Sequence, residues 1–446
     1  MIISLCILAL LTGFSEAGYL EQAEELSILK DDNLKLIFAS ALWRHGDRAP
    51  EVSLPGNSDR LKESDWKFGG GGYGQLSPVG MRQHFNLGRK LRSRYMSSNF
   101  LSSRYRAKEI YIRSTDVNRT LISAHSNLAG MYSNEDSNVK GTDLPNVEGW
   151  PSGWVPIPVH TVFNPTDHDG NPSAKCPRLA EALGLIIESA EVSSYLKQPK
   201  ISQVMDFINE KTGAFVSVDK MYDFNNTLMV QKLHFNDTKP ENDNATDYTQ
   251  WYPWYWQGDI PQLIKRITDK SLEFDTGLEN LAGVKNIDVS LEISRLRAGE
   301  SIESIRTHGV GVLHCYLRNN LNDTSHHCSH YFRKLKYYAL SAHDSTLNAM
   351  LTLLGARQDV LQFGNPQYSS ALLVEFYIDE STKKAFVKFL YHANENENFR
   401  VITPFVSFCP IDSQYCPLEK FTELVNKYNP GDIEKLCNTP LQSSSA

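Results

Sequence analysis

The sequence lacks several features that mark large protein classes. Its 446 residues carry 45 Lys and Arg against 52 Asp and Glu, a net charge of −7, so neither nucleic acid nor an anionic membrane is expected as a main partner. No two cysteines have a Cys-x-x-Cys spacing, which argues against a structural zinc site. There is neither a P-loop nor a dinucleotide-binding fingerprint. The composition, 41% hydrophobic and 11% aromatic, is that of a globular protein.

Long apolar runs are also missing. Beyond the N-terminus no stretch reaches the roughly 20 apolar residues that a membrane-spanning helix needs, so no transmembrane segment is predicted. The apolar run at residues 2–11 has the length of a signal-peptide core, and Ser15-Glu16-Ala17 offers small residues for cleavage. We therefore predict a signal peptide at residues 1–17. A buried N-terminal strand or helix is the alternative. Export predicts an extracellular, lumenal or lysosomal destination.

The cysteines agree with export. Removal of Cys6 leaves six, and an even number in an exported chain predicts three disulfides, although spacing alone does not choose the pairing. Sequons of the Asn-x-Ser/Thr type predict glycosylation at Asn225, Asn236, Asn244 and Asn322.

Three segments of the chain share one layout. Residues 34–42, 109–112 and 337–342 are apolar and strand-like, and each is followed by a polar turn; the last two turns lead into helical patterns. The order strand, turn, helix is typical of an α/β sheet, whose active sites lie beyond the carboxyl ends of the strands. We therefore expect the polar residues of these turns to converge, namely Arg44, His45, Arg48, Arg113, His343 and Asp344.

Helical patterns replace this layout between about residues 171 and 299. We predict an α/β core made of residues 18–170 and 300–446, into which a smaller all-helical domain, residues 171–299, is inserted. The aromatic run at 251–256 has three interpretations: an anchor of the helical core, a lining of a leaving-group pocket, or a dimer face.

The most informative motif is Arg44-His45-Gly46-Asp47-Arg48. Two guanidinium groups four residues apart match phosphate oxygens, and an imidazole held between them can attack phosphorus. Arg113 at a second strand end would add a third cation, and His343-Asp344 at a helix start lies in a potential that favours anions.

These residues resemble the histidine acid phosphatases of the prostatic and lysosomal type. The motif from Arg44 to Pro50 is similar to the family's N-terminal signature, the stretch from Tyr111 to Thr120 to its second block, and His343-Asp344 to its C-terminal dipeptide. The segments Pro156-Ile157-Pro158-Val159-His160 and Cys416-Pro417-Leu418-Glu419 are similar as well. The resemblance runs from about residue 34 to residue 437.

The resemblance implies a role for each matching residue. His45 is expected to be the nucleophile that becomes phosphohistidine, and Asp344 to protonate the leaving alcohol. Arg44, Arg48, Arg113 and His343 are expected to bind the phosphoryl oxygens. It also implies an α/β fold with a mixed-sheet, three-layer core and a helical domain, a homodimer in many members, and no metal or other cofactor. Small phosphomonoesters, with phosphoproteins as a further class, are the implied substrates.

The resemblance also implies two disulfides, Cys176–Cys437 and Cys409–Cys416. The family's remaining bond uses a cysteine where this chain has Gln367-Tyr368-Ser369-Ser370. We therefore expect Cys315 to pair with Cys328. Asn118 is a further sequon, but it lies inside the second block, where we expect it to be unused or to point away.

Some alternatives stay open at this point. Arg113 could be an ion-pair partner of Asp116 or Glu109, and His343 could be a core histidine. Asp344 could serve only as a helix cap. The histidines around Cys315 and Cys328 could bind a metal, although a solvated loop fits them better. The whole chain could be a phytase, a non-catalytic binder of phosphorylated ligands, or a relative of the phosphoglycerate mutases, which the export features oppose.

Overall fold

The computed structural model describes residues 34–441, apart from 57–58, 134–135, 242, 278–281, 285–286, 321–327 and 362–363. The predicted signal peptide and the sequon at Asn322 lie outside the described residues. The strands, in chain order, are β1 Leu34–Arg44, β2 Ile110–Ser114, β3 Ala282–Val284, β4 Ile287–Asp288, β5 Tyr337–Ala342, β6 Ala371–Asp379, β7 Ala385–His392, β8 Arg400–Val401 and β9 Cys416–Pro417.

The helices lie between and beyond these strands. In chain order they are α1 Pro78–Met96, α2 Asn118–Tyr132, α3 Pro177–Ile187, α4 Ala190–Leu196, α5 Pro199–Thr212, α6 Met221–Leu233, α7 Phe235–Thr238, α8 Ile260–Asp275, α9 Val289–Asn320, α10 Asp344–Leu353, α11 Arg357–Leu361, α12 Leu418–Tyr428 and α13 Ile433–Cys437. Ser77 caps α1, since its Oγ accepts a hydrogen bond from the Gly80 N–H at 3.0 Å, and Pro78 begins the helix with a φ angle already suited to it.

The main sheet is mixed, as expected. Its strand order is β2-β5-β1-β6-β7-β8, and β9 also pairs with β7. The pairs β2–β5 and β5–β1 are parallel, whereas β1–β6 and the pairs beyond it are antiparallel. The carboxyl ends of β1, β2 and β5 therefore meet at one edge of the sheet.

Helices cover both faces of this sheet. On one face, Ala41 and Trp43 of β1 pack with Leu87 of α1 and Leu128 of α2. On the other face, Phe38 and Leu42 pack with α9, α10 and α12. Alternating side chains of one strand thus serve two separate cores, which gives the three layers of the predicted α/β fold. The α/β prediction is confirmed.

A third core holds the helical part of the chain together. Its buried members come from α3 to α6 and α8, and from the aromatic run, where Trp251, Tyr252 and Tyr255 are at most 3% exposed. The run therefore anchors the helical core. The same core includes Ala49, Leu54 and Trp66, which lie far outside residues 171–299.

Helix α9 joins the helical core to the sheet. Val289 and Ile293 in its first turns belong to the helical core, whereas Ile302 and Val312 pack on the sheet. The boundary that the sequence predicts at residues 299/300 falls inside this helix, because its apolar face continues without a break from one core to the other.

Three disulfides join the pairs Cys176–Cys437, Cys315–Cys328 and Cys409–Cys416, whose Cα atoms are 4.6, 5.3 and 4.9 Å apart. The first ties the start of α3 to the end of α13. Among the described sequons, Asn118, Asn236 and Asn244 are exposed. Asn225 is half-buried and its Oδ1 accepts a hydrogen bond from the Tyr255 hydroxyl at 3.1 Å. None of the helices that the structure describes is long and apolar enough to cross a membrane.

Buried histidines make the stability of the fold depend on pH. Burial lowers the pKa of His392, at the end of β7, to about 3, against about 6.5 in the unfolded chain. Between these values the unfolded state binds a proton that the folded state does not, so stability falls as pH falls. At pH 5 this histidine should cost about 2 kcal/mol.

The His392→Gln variant tests this linkage. Between pH 7 and pH 5 its free energy of unfolding should fall by about 2 kcal/mol less than that of the wild type, as measured by urea unfolding at each pH. His314→Gln on the exposed face of α9 is the control and should follow the wild type. If the free energy of unfolding changed with pH equally in His392→Gln and in the wild type, His392 would not be the source of the pH dependence.

Candidate active site

The ends of three strands bring the predicted site together. In the sheet Arg44 of β1 is level with Ala342 of β5, and Ser114 of β2 is level with Ser341. The turns continue this alignment, because the His45 N–H donates to the Ala342 carbonyl at 3.0 Å and the Thr115 N–H donates to the Ser341 carbonyl at 3.0 Å. Residues up to 300 positions apart in the sequence thus share one edge of the sheet.

His45 lies buried at the centre of this edge, 1% exposed. Its Nδ1 is 2.8 Å from the Gly46 carbonyl oxygen. A carbonyl can only accept, so Nδ1 carries the hydrogen and Nε2 keeps its lone pair. Burial, and then the nearby guanidinium groups of Arg119, Arg44 and Arg48, hold the pKa of His45 well below its ordinary value. The site therefore favours the neutral imidazole, whose Nε2 keeps its lone pair.

Close backbone packing fixes the turn that carries His45. A Cβ atom on Gly46 would lie 2.4 Å from the carbonyl oxygen of Gly80, so only glycine fits here. The next residue, Asp47, is fully buried and accepts hydrogen bonds from the Ser77 hydroxyl and from His234 Nε2, the latter at 2.7 Å. Asp47 thus binds the turn to α1 and to the helical layer, by which we mean α3 to α8 and the residues that join them.

Arg44 is held by groups from three parts of the chain. Its Nη1 donates to the Pro366 carbonyl at 2.6 Å, its Nη2 lies 3.0 Å from Asp344 Oδ2, and its guanidinium carbon is 4.2 Å from the centre of the Tyr368 ring. These contacts hold the guanidinium plane in place beside His45. A guanidinium is a group that can form paired hydrogen bonds with an oxyanion.

Arg48 and Arg119 share one counter-ion. Glu51 Oε1 is 2.6 Å from Arg48 Nη2 and 3.2 Å from Arg119 Nη2. Burial raises the pKa of Glu51, but the two guanidinium groups outweigh it and lower that pKa overall. Arg48 Nη1 also donates to Asn226 Oδ1 of α6 at 3.1 Å. Within the described part of the chain, Nε of Arg44, Arg48 and Arg119 is buried without a hydrogen-bond partner.

His343 faces His45 across the site. The two ring centres are 5.7 Å apart, with the rings nearly perpendicular. His343 Nε2 lies 3.0 Å from the Thr115 hydroxyl, and burial lowers the pKa of His343 to about 4. His343 is the N-cap residue of α10, so its side chain lies where the helix dipole favours an anion.

Asp344 begins α10 and contacts three neighbours through Oδ2. It accepts hydrogen bonds from the Tyr222 hydroxyl and from Asn365 Nδ2, the latter at 2.7 Å, and pairs with Arg44. Burial raises the pKa of Asp344, but Arg44 and Tyr222 outweigh it and hold that pKa well below its usual range. In this state of the site the carboxyl group is a carboxylate.

The structure does not bring Arg113 to the site. Its two terminal nitrogens are 2.6 Å from Asp167 Oδ1 and 2.5 Å from Asp169 Oδ2. Side chains alternate along β2, so Ile110 and Ile112 enter the core under α1 and α2, while Tyr111 and Arg113 face the opposite layer. The prediction that Arg113 contacts the phosphoryl group is therefore wrong: it is a buried ion-pair residue, as one alternative held, although its partners are not Asp116 or Glu109.

Arg119 occupies the position that Arg113 was expected to fill. It lies in the first turn of α2, beyond the carboxyl end of β2. Its position in the sequence could have indicated this, because Arg119 follows the strand-like segment and active sites of α/β sheets lie beyond the ends of the strands. Tyr222 of α6 and Glu51 also reach the site, and no motif in the sequence marked either of them.

A cleft of about 580 Å³ opens beside Asp344. Its lining includes Arg119, His343 and Asp344 on the side of the sheet, and residues of α3 and α8 on the side of the helical layer. In the ranges that the structure describes, no group of three or more His, Cys, Asp and Glu side chains has the arrangement of a metal site. His326 and His327, two of the histidines near Cys328, lie outside those ranges.

Comparison of the sequence with known proteins identifies the family of this chain. A sequence profile described as "Histidine phosphatase superfamily (branch 2)" matches residues 35–392. This chain belongs to the histidine phosphatase superfamily. It is a phosphatase. The lysosomal acid phosphatase of Xenopus laevis is 31% identical over 91% of this chain and 79% of its own length. The prostatic acid phosphatase of Homo sapiens is 31% identical over 91% of this chain and 88% of its own.

The fold of this phosphatase is also found among solved structures. The phytase from Citrobacter braakii matches with a TM-score of 0.58, covering 90% of this chain and 99% of the phytase at 15% identity. At that identity the likeness shows the fold alone.

The two arginines of the second block should behave in opposite ways. In this phosphatase Arg113→Gln leaves Asp167 and Asp169 buried without their cation, so the free energy of unfolding should fall by about 3–5 kcal/mol. Inhibition by inorganic phosphate should stay within about twofold of the wild type. Arg119→Gln should raise the inhibition constant of phosphate roughly 10- to 100-fold, the range that charge-assisted hydrogen bonds supply, with a smaller effect on stability.

Chemical denaturation and competitive inhibition by phosphate measure the two effects. If Arg113→Gln does not fold, Arg113→Lys keeps the charge and provides the same comparison. A larger loss of phosphate affinity for the Arg113 variant than for the Arg119 variant would contradict this prediction and indicate that Arg113 contacts phosphate.

Proposed function

We propose that this phosphatase hydrolyses phosphate monoesters in two steps through a phosphohistidine at His45. The observation that carries the proposal is the state of His45: its Nδ1 hydrogen is held by the Gly46 carbonyl, and a neutral Nε2 lies among three buried guanidinium groups. A nucleophile that accepts the phosphoryl group divides one displacement into two easier ones. The similarity to acid phosphatases supports the same reaction class.

In the first step Nε2 of His45 attacks phosphorus. The new N–P bond forms as the ester P–O bond breaks, and the leaving oxygen takes a proton from Asp344. In the second step water attacks phosphorus and gives a proton to Asp344. The N–P bond then breaks and inorganic phosphate leaves, which restores both residues.

Arg44, Arg48 and Arg119 are proposed to bind the three phosphoryl oxygens, with His343 as a further contact. Three guanidinium groups supply the positive charge that metal ions supply in other phosphatases, so the proposed mechanism uses no metal or other cofactor. Glu51 and Asp344 balance this charge in the free site. A bound phosphate would compete with Glu51 for Arg48 and Arg119, and with Asp344 for Arg44.

Asp344 must gain a proton before it can act as an acid. A phosphate dianion draws Arg44 away from Asp344 and repels its carboxylate, and both effects raise the pKa of the aspartate. An acidic medium then supplies the proton, while His45 stays neutral because its own pKa is held low. We therefore expect an optimum at roughly pH 4–6, close to the ordinary range of carboxyl groups.

Tyr222 is proposed to position the acid. Its hydroxyl donates to Asp344 Oδ2 and lies 3.4 Å from Arg44 Nη2. Burial raises the pKa of Tyr222, so the phenol keeps its proton throughout the working range. The hydroxyl can therefore hold the carboxyl group in place in both of its protonation states.

The remaining features of the protein follow from the sequence and its relatives. We propose that α3 to α8 form the inserted helical domain, supported by the core in which these helices pack together. Secretion, or delivery to the lysosome, is supported by the three cysteine pairs and by the lysosomal and prostatic relatives. Small phosphomonoesters are the proposed substrates, and phosphoproteins are a further class. A homodimer and glycosylation at Asn225, Asn236, Asn244 and Asn322 stay predictions.

The phosphoenzyme can be trapped directly. Rapid quenching during hydrolysis of a ³²P-labelled monoester should yield an acid-labile, base-stable phosphoprotein. His45→Ala should yield none and should lose roughly 10³-fold or more in kcat, because the nucleophile acts in both steps. Arg48→Lys is the control for charge and should retain the phosphoprotein. Activity of His45→Ala above a few per cent of the wild type would refute the nucleophile.

The acid can be identified by its dependence on the leaving group. An alkoxide leaves poorly without a proton, whereas p-nitrophenolate leaves almost unaided. Asp344→Asn should slow phosphoenzyme formation about 10²–10⁴-fold with glycerol phosphate, and much less with p-nitrophenyl phosphate. Asp223→Asn changes another carboxyl group of the same cleft, one that pairs with Lys220, and should leave the ratio of the two rates unchanged. Equal slowing of both substrates by Asp344→Asn would limit Asp344 to positioning.

A further inference from the structure

The cleft beside Asp344 indicates where the leaving alcohol of the substrate would lie; this inference rests on the proposed function. Phosphorus would lie against His45, and the ester oxygen would lie at Asp344. Asp344 and His343 both line the cleft of about 580 Å³, so whatever is bonded to that oxygen extends into it. The volume is in the range that proteins use to enclose small organic ligands.

A neighbouring cleft is the competing direction. It measures about 490 Å³ and shares Tyr222, Leu272 and Asn365 with the first, but neither Asp344 nor His343 lines it. It is the more basic of the two, since its lining includes Lys232 and Lys265. Asp344, where the ester oxygen would lie, therefore opens onto the first cleft and does not line the second.

One wall of the first cleft is apolar. Leu183, Ile186 and Ile187 of α3 line it together with Leu272 and Phe274 of α8. Ile187 is 53% exposed, an apolar side chain left open at the wall of a cleft. Such a wall gains free energy when an apolar group covers it. The lining also includes three amide side chains, Asn164, Asn171 and Asn348, which carry no charge.

The charges of the cleft disfavour an anionic leaving group. Some residues of the lining belong to the proposed phosphate site, namely Arg119, His343, Asp344 and Glu51, the counter-ion of the arginines. The other charged lining residues are three aspartates, Asp219, Asp223 and Asp275, and one lysine, Lys220. Arg297 neutralises Asp275 through two contacts of 2.5 and 2.8 Å. Lys220, the one lysine of this set, is 3.9 Å from Asp223, so the set carries more negative than positive charge and repels a second phosphate group.

We infer that the preferred substrates are monoesters whose leaving alcohol is elongated, apolar and free of further phosphate groups. A long alkyl alcohol has this chemistry. It can cover Ile187 and the neighbouring apolar side chains without bringing a negative charge against the aspartates. An inositol polyphosphate has the opposite chemistry, although the solved phytase shares the fold of this chain.

A series of n-alkyl phosphates from ethyl to octyl, kept below micelle concentrations, tests the inference. The kcat/KM should rise with each added methylene, by at most roughly fourfold, until the cleft is filled. Inositol hexakisphosphate should be turned over more slowly than ethyl phosphate. Ile187→Asp should abolish the rise with chain length and leave the value for ethyl phosphate within about twofold.

Met229→Asp is the matched control. Met229 is also a partly exposed apolar residue of the helical layer, but it lines the neighbouring cleft. Its variant should keep the rise with chain length. Loss of the rise in Met229→Asp, with Ile187→Asp unaffected, would place the leaving group in the other cleft and overturn the inference.

The two levels of the proposal fail differently. If the wild type hydrolyses ethyl phosphate through a phosphoenzyme but shows no dependence on chain length, or prefers inositol hexakisphosphate, the inference is wrong and the proposed function stands. If it hydrolyses no monoester, ethyl phosphate included, the proposed function itself has failed.

Discussion

The confinement of positive charge around His45 is the constraint on which the rest of the site depends. Three guanidinium groups and two neutral imidazoles are buried together, and like charges at this distance repel one another strongly in a poorly hydrated interior. Glu51 and Asp344 are the counter-ions that make this arrangement stable in the free protein. They hold the arginines around His45. Burial and the same positive charges lower the pKa of His45, so one electrostatic arrangement would serve both parts of the proposed mechanism, anion binding and nucleophilic attack.

The helical layer is part of this arrangement and not merely a cover for it. Tyr222 and Asn226 on α6 bind Asp344 and Arg48, and His234 binds Asp47 beneath the nucleophile turn. Helix α9 and the bond between Cys176 and Cys437 connect the same layer to the rest of the chain. The relative position of the two layers therefore decides both the geometry around Asp344 and the shape of the cleft.

The two arginines of the second block show how far sequence reasoning reaches. Both lie near the end of a strand, and the spacing of the sequence marks both as candidates. Arg113 is still inside β2, where the pleat directs its side chain across the sheet to two aspartates. Arg119 follows the strand and returns to the site from the first turn of α2. Arg113 lies before the end of β2 and is a structural cation, whereas Arg119 lies beyond that end and is proposed to be catalytic. The exact end of a strand is the least certain part of any prediction from sequence.

The sequence by itself determined the family and the α/β class, and it marked the turn at His45 and the His343-Asp344 pair, because each is contained in contiguous residues whose chemistry is local. A strand, a polar turn and a helix start can all be recognised within about ten residues. Only the tertiary structure decided which arginine reaches the site, that Tyr222 and Glu51 join it, and that α9 belongs to two cores at once. These facts depend on how separate layers pack, and packing is set by the fit of distant side chains, which no single stretch of sequence contains.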